Sequence, residues 1–254
     1  MHAAPGSRRF DPAPAATAAA GVRLLSIDRP GYGGSDPLPA GVAPTITRFA
    51  DDAAAVLDHL GITDVAVVGW SAGGRVAAAL AARRPELMRA LVLAATPAPD
   101  EDVPWIPEDQ RPFIEFMKAD PVGCLPALVE QLAEMAKAPG TVLVTGGDAD
   151  AAMLAADPAI GQAVDAMVAE GFRQGPIGLA LDLVSYTATP WGFDPAAVGT
   201  PTVCVYGVED PIVTPAHGAW WASRIPGAEV WEVPATGHLV LGPVWEGLLG
   251  DVLT

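Results

Sequence analysis

The chain has 254 residues, 51% of them apolar, and its 30 acidic against 14 basic side chains give a formal net charge of −16. That length accommodates one α/β domain with an insertion, and the charge argues against nucleic acid or an anionic membrane as partner, because phosphate is repelled. No run approaches the roughly 18 apolar residues of a membrane span, and Pro5, Pro12 and Pro14 interrupt the place where a secretory signal needs a continuous apolar stretch. The expectation is a soluble, cytoplasmic protein. Its expected partner is a small-molecule substrate other than a polyanion, and its oligomeric state is left open.

The chain opens on His2-Ala3-Ala4-Pro5-Gly6-Ser7-Arg8. Ala13 to Ala20 predicts a helix after Pro12, and Val22 to Ile27 a buried strand. That strand runs into Asp28-Arg29-Pro30-Gly31-Tyr32-Gly33-Gly34-Ser35. Gly31-x-Gly33 does not read as a dinucleotide loop, since position 36 is Asp and Pro37 and Pro39 block an immediate helix. Ile46, Phe49, Ala53, Val56, Leu57 and Leu60 recur at helical spacing over Thr45 to Leu60, and Gly61 ends the helix. His59 reads as a surface residue of that helix. Val65 to Val68 are apolar and β-branched enough for a strand buried on both faces of a parallel sheet. Val76 to Arg84 are strong helix formers that stop before Pro85. Between them lies Gly69-Trp70-Ser71-Ala72-Gly73, a strand–turn–helix junction. It holds Ser71 in a strained conformation at a helix N-terminus, where the dipole favours a developing anion.

Arg89 to Thr96 is the next strand. From Pro97 to about Pro190 the strand–helix alternation stops, and Pro and Gly separate helical stretches at 108–118, 124–137, 148–156, 160–173 and 177–187. Thr141 to Thr145 is a short β-like run. Asp148 and Asp150 beside Gly146 and Gly147 lack the further acidic positions of a calcium loop and read as a capped helix start, so no metal is expected. The alternation then resumes: strand Pro201 to Tyr206, a turn through Asp210, helix Pro215 to Ser223, strand Glu229 to Val233, a turn through His238, and helix Val244 to Leu253. Cys124 and Cys204, far apart and both in apolar surroundings, read as core hydrophobes in a reducing compartment.

Gly69-x-Ser71-x-Gly73, in that context, resembles the nucleophile elbow of the α/β-hydrolase superfamily, and of its lidded serine esterase-like members. Asp28 to Ser35 is similar to the superfamily's D-R-x-G-x-G-x-S loop. The resemblance implies an α/β fold: a mostly parallel sheet with helices on both faces, a core of residues 1–96 and 191–254, and a helical lid inserted at 97–190. His2, Pro5 and Gly6 match the family's His-Gly-x-Pro-Gly turn, with Ala3 where Gly is usual. That match would make the N–H of Ala4 an oxyanion donor. The family also has a hairpin and an interior strand upstream of this turn, whereas only Met1 precedes it here. The expectation is a truncated start or a sheet lacking that strand, because a gap between parallel strands leaves ladder groups unpaired at about 1–3 kcal/mol each if buried.

Ser71, Asp210 and His238 follow predicted strand ends, in the order the superfamily uses. The implied roles are nucleophile for Ser71, general base and then acid for His238, and orienting carboxylate for Asp210, with the N–H groups of Ala72 and Ala4 binding the oxyanion. Glu209 is a rival acid, but the family's G-x-x-D-x-x-V turn favours Asp210; His217, within a helix, is a poorer base. Trp70, Trp105, Met153 and Tyr186 are candidate pocket liners, with ordinary core packing as the alternative. A serine at the elbow points away from relatives that use aspartate there, the haloalkane dehalogenases and epoxide hydrolases. It points to a cofactor-free attack on an ester or related acyl bond. Thioesterase, lactonase, perhydrolase and carbon–carbon hydrolase chemistry stay open, as does a non-catalytic binding relative.

Overall fold

The computed structural model describes residues 1–252; Leu253, the predicted end of the last helix, lies outside the described residues. Four apolar stretches pair as a parallel sheet in the order β1 (Val65–Trp70), β2 (Met88–Ala94), β3 (Thr202–Gly207) and β4 (Glu229–Val233). Side chains alternate across the two central strands. Leu91, Leu93, Cys204 and Tyr206 join one core, while Val92, Ala94, Val203 and Val205 join another. Because both faces are apolar, both need a helical layer.

In chain order the helices are α1 (Pro14–Ala19), α2 (Ile46–His59), α3 (Ala72–Arg83), α4 (Arg111–Ala119), α5 (Leu125–Leu132), α6 (Gly140–Val144), α7 (Gly147–Ala156), α8 (Pro158–Gly171), α9 (Ile177–Thr187), α10 (Pro215–Arg224) and α11 (Leu241–Asp251). Phe49, Leu57, Val76, Leu80 and Trp221 carry α2, α3 and α10 onto the first face of the sheet. Trp245, Leu248 and Leu249 carry α11 onto the second, and the Trp245 indole N–H donates to Thr17 Oγ1 of α1 at 2.8 Å. The Thr45 hydroxyl accepts the Arg48 N–H at 3.2 Å and caps α2. Between β2 and β3 the described residues form only helices and loops, and α4, α5 and α9 share a separate core of Ile114, Met117, Leu128, Leu179 and Val184. Cys124 belongs to that core and Cys204 to β3; both are buried and unpaired.

Two sequence expectations are corrected. Val22 to Ile27 is not a strand. A ladder needs a neighbour about 4.8 Å away, and between this segment and Val65–Val68 of β1 lies a cavity of about 430 Å³. At one end of that gap Met1 pairs with β1, its amine donating to Val68 O at 2.5 Å and its carbonyl accepting the Trp70 N–H at 3.0 Å. Thr141 to Thr145, read as β-like, lies in and just after helix α6. Tertiary partners override its β propensity: the Thr141 N–H is capped by Asp165 at 2.8 Å, and Gly140 lies against the Val164 carbonyl and Val168 of α8 with no room for a side chain.

Candidate active site

The turn between β1 and α3 gives Ser71 φ 55° and ψ −126°, a left-handed conformation that costs a residue with a Cβ on the order of 1–3 kcal/mol. Close packing holds it there. The Ser71 N–H donates to Ala94 O of β2 at 2.8 Å. A Cβ on Gly69 would lie 2.4 Å from the Gly74 Cα, and one on Gly73 would lie 2.3 Å from the His2 carbonyl. These two glycines let strand, helix and N-terminal turn meet at the serine.

Asp210 follows β3 and is 2% exposed. Its Oδ1 accepts the N–H groups of Ile212 at 3.0 Å and Val213 at 2.9 Å, which fixes the rotamer. Its Oδ2 lies 2.6 Å from Nδ1 of His238, in the turn after β4. Burial pushes the Asp210 carboxyl upward, but the hydrogen bond and charge of His238 and the two backbone N–H groups outweigh it and hold it below its ordinary value. Glu209, the rival acid, makes no side-chain hydrogen bond or ion pair among the described residues. His217 is buried and its Nδ1 accepts the Ala98 N–H at 3.0 Å, so it is occupied at the start of the helical insertion.

Ser71 and His238 line one cavity of about 180 Å³, together with Ala3, Ala4, Ala72, Arg75, Trp105 and Tyr186. Ser71 Oγ makes no hydrogen bond to the imidazole, a separation that substrate-free sites often show. The Ala72 N–H is the first of α3 and has no partner within the helix. The Ala4 N–H has no acceptor among the described residues. Both expected oxyanion donors therefore border the serine's cavity, their N–H groups without an acceptor among the described residues. Arg29 holds the turn that carries Ala4, donating to His2 O at 2.6 Å and Ala3 O at 3.1 Å, and its other edge grips Asp182 of α9 at 3.0 and 2.5 Å. Tyr32 donates to the same carboxylate at 2.8 Å.

Of the four candidate liners, Trp105 and Tyr186 border the serine's cavity. Trp70 and Met153 border a different one, of about 500 Å³, with Phe10, Val164 and Met167. Trp70 instead buttresses the histidine turn: its indole N–H donates to His238 O at 3.0 Å. Its place at the end of β1 and before Ser71 turns the ring toward the second core.

Asp150 belongs to the site although its sequence pattern reads only as a helix start. It is fully buried, and its carboxylate accepts the N–H groups of Gly146 at 2.6 Å, His238 at 3.0 Å and Leu239 at 3.1 Å. These partners are up to 89 residues away along the chain, so local pattern carries no trace of them. Arg75 also borders the serine's cavity, and the sequence carries a signal for it: a lone cation in the run Ala72-Gly-Gly-Arg-Val-Ala-Ala-Ala-Leu80.

Residues 1–242 match the family model described as alpha/beta hydrolase fold. The chain is 29% identical over 217 residues to the pimeloyl-[acyl-carrier protein] methyl ester esterase of Chromobacterium violaceum, covering 84% of this chain and 75% of that one. It is 27% identical over 255 residues to the rhodomycin D methylesterase of a Streptomyces species, covering 92% and 81%. Among solved structures, an alpha/beta hydrolase fold protein from Nakamurella multipartita superposes with a TM-score of 0.65 at 26% identity, over 98% of this chain and 89% of that one. Parallel sheet, helical layers on both faces and the family match agree: the chain belongs to the α/β-hydrolase fold family.

Proposed function

We propose that this hydrolase-family protein cleaves a small-molecule carboxylic ester through Ser71, His238 and Asp210. The observation that carries the reading is a strained serine at a helix N-terminus, sharing a cavity with an imidazole whose far nitrogen is held 2.6 Å from a buried carboxylate. In the forward step Nε2 of His238 takes the hydroxyl proton as Oγ bonds to the acyl carbon. The carbonyl oxygen becomes an oxyanion facing the Ala72 and Ala4 N–H groups, each such donor worth roughly 10²–10³ in rate. The imidazolium, stabilised by Asp210, returns the proton to the departing alcohol, and water then reverses the sequence on the acyl-enzyme. Curated relatives named as methyl ester esterase and methylesterase support an oxygen ester over the other acyl derivatives.

A fluorophosphonate probe tests this directly. The expected result is a single adduct on Ser71 that disappears in Ser71→Ala, along with hydrolysis of 4-nitrophenyl butyrate. The second reading, a non-catalytic binding relative, draws on Ala3, which stands where the family's turn usually has Gly. A folded protein that neither forms the adduct nor turns over the ester would establish it.

A further inference from the structure

Arg75 lies one helical turn past Ser71, and only 1% of it is exposed. No carboxylate lies within ion-pair distance of it among the described residues, an expensive state for a buried cation. The neighbouring acids are committed elsewhere: Asp182 to Arg29 and Tyr32, Asp210 to His238, and Asp100 to Arg111 and the N–H groups of Trp105 and Ile106. Nε of Arg75 donates to Pro97 O at 3.1 Å and Nη2 to Ala98 O at 3.5 Å, leaving Nη1 without an acceptor among the described residues. The rings of Trp105, Tyr186 and Trp191 surround the guanidinium at 5.5, 4.7 and 5.2 Å. They supply cation–π contact but no negative charge. Arg75 borders both the serine's cavity and an adjoining one of about 960 Å³. Trp105, which borders the same two cavities, has a buried indole N–H without an acceptor among the described residues.

We propose that Arg75 is an anion-binding subsite that selects acyl substrates carrying a second, free carboxylate, such as monoesters of short dicarboxylic acids. The proposal rests on the hydrolase reading above and adds the substrate class. An aromatic surround leaves the guanidinium its in-plane N–H edge, which suits a planar carboxylate bound through two parallel hydrogen bonds. One guanidinium balances one negative charge, and the chain's net charge of −16 disfavours a polyanion. Burial pulls the Arg75 pKa down to about 10, which still leaves the group charged at neutral pH. The 180 Å³ cavity limits the spacer to a few carbons.

The test compares kcat/KM for mono-4-nitrophenyl glutarate with that for 4-nitrophenyl butyrate. The glutarate-to-butyrate ratio should fall roughly tenfold or more in Arg75→Met, mainly through KM, and recover in part in Arg75→Lys. An unchanged ratio, with both esters falling together, assigns Arg75 a structural role and overturns the proposal. Wild-type protein provides a second measurement that does not depend on the variants folding: glutarate should compete with the butyrate ester and uncharged glutaramide should not. Equal competition by both overturns the proposal. Finally, Ser71→Ala should bind glutarate in calorimetry. Binding there, with no ester turned over by the wild type, would uphold the anion subsite while the hydrolase reading fails. Butyrate hydrolysis without glutarate binding would do the reverse.

Discussion

Ser71 draws its position from backbone that costs energy to hold, kept in place by its N–H bond to Ala94 and by the close approach that Gly69 and Gly73 allow. Asp150, which contacts no reacting atom, holds the turn that carries the histidine. Replacing it with Ala leaves two buried N–H groups unpaired, each worth about 1–3 kcal/mol, strips the part-buried His238 N–H of its acceptor, and frees the turn that carries His238. We expect Asp150→Ala to lose stability in denaturant titration and to lower kcat on 4-nitrophenyl butyrate by about 10² or more, with Asp150→Asn, which keeps an acceptor oxygen, intermediate. For Asp210, His238 and two N–H groups outweigh burial and depress the carboxyl below 3.8, so the native state holds fewer protons than the unfolded chain as pH falls through that range. Its contribution is therefore complete above about pH 4 and lost as pH drops toward the lowered value. The stability gap between wild type and Asp210→Asn should narrow below pH 4 in urea titrations; a gap independent of pH would rule this out.

At the scale of elements, the helical segment between β2 and β3 is tied to the N-terminal turn through charged and polar contacts as well as apolar packing. Arg29 bridges the N-terminal turn and α9 through Asp182, both side chains almost fully buried. Burial alone would lower the Arg29 pKa, but the charge and hydrogen bonds of Asp182 raise it. Asp182→Ala strands a buried guanidinium at a cost of about 3–5 kcal/mol. It should lower both the melting temperature and kcat, because the turn bearing the Ala4 N–H loses its anchor. Double replacement of Arg29 and Asp182 by apolar residues should restore much of the stability and little of the rate. The helices of this segment were readable from Pro and Gly punctuation and from periodicity. Thr141 to Thr145 was not, because Asp165 and α8, which decide its conformation, lie over 20 residues away.

Across the whole molecule, a strongly acidic chain keeps beside its serine a buried cation with no ion-pair partner among the described residues. The guanidinium is lowered to about 10 by burial, so it is protonated below that pH and neutral above it. Glutarate binding to Ser71→Ala should accordingly stay level from about pH 6 to 9 and weaken above about 10. Weakening already near pH 7 would implicate a different group. Among the described residues no helix is long and apolar enough to cross a membrane.

The local chemistry of the sequence was enough for the four paired strands, most helix ends and the family motifs. β-branched runs, Pro and Gly breaks and the Gly-x-Ser-x-Gly spacing act over a few residues and survive in a linear reading. Val22 to Ile27 shows where that reading stops: it has a strand's composition, yet a strand exists only if a neighbour supplies its hydrogen bonds. The same holds for the site. Residues 71, 210 and 238 could be ordered along the chain, but the 2.6 Å contact between His238 and Asp210 and the grip of Asp150 on the histidine turn exist only after folding. That Arg75 has no ion-pair partner among the described residues is likewise a tertiary fact, because burial and pairing depend on distance in space and not on separation in sequence.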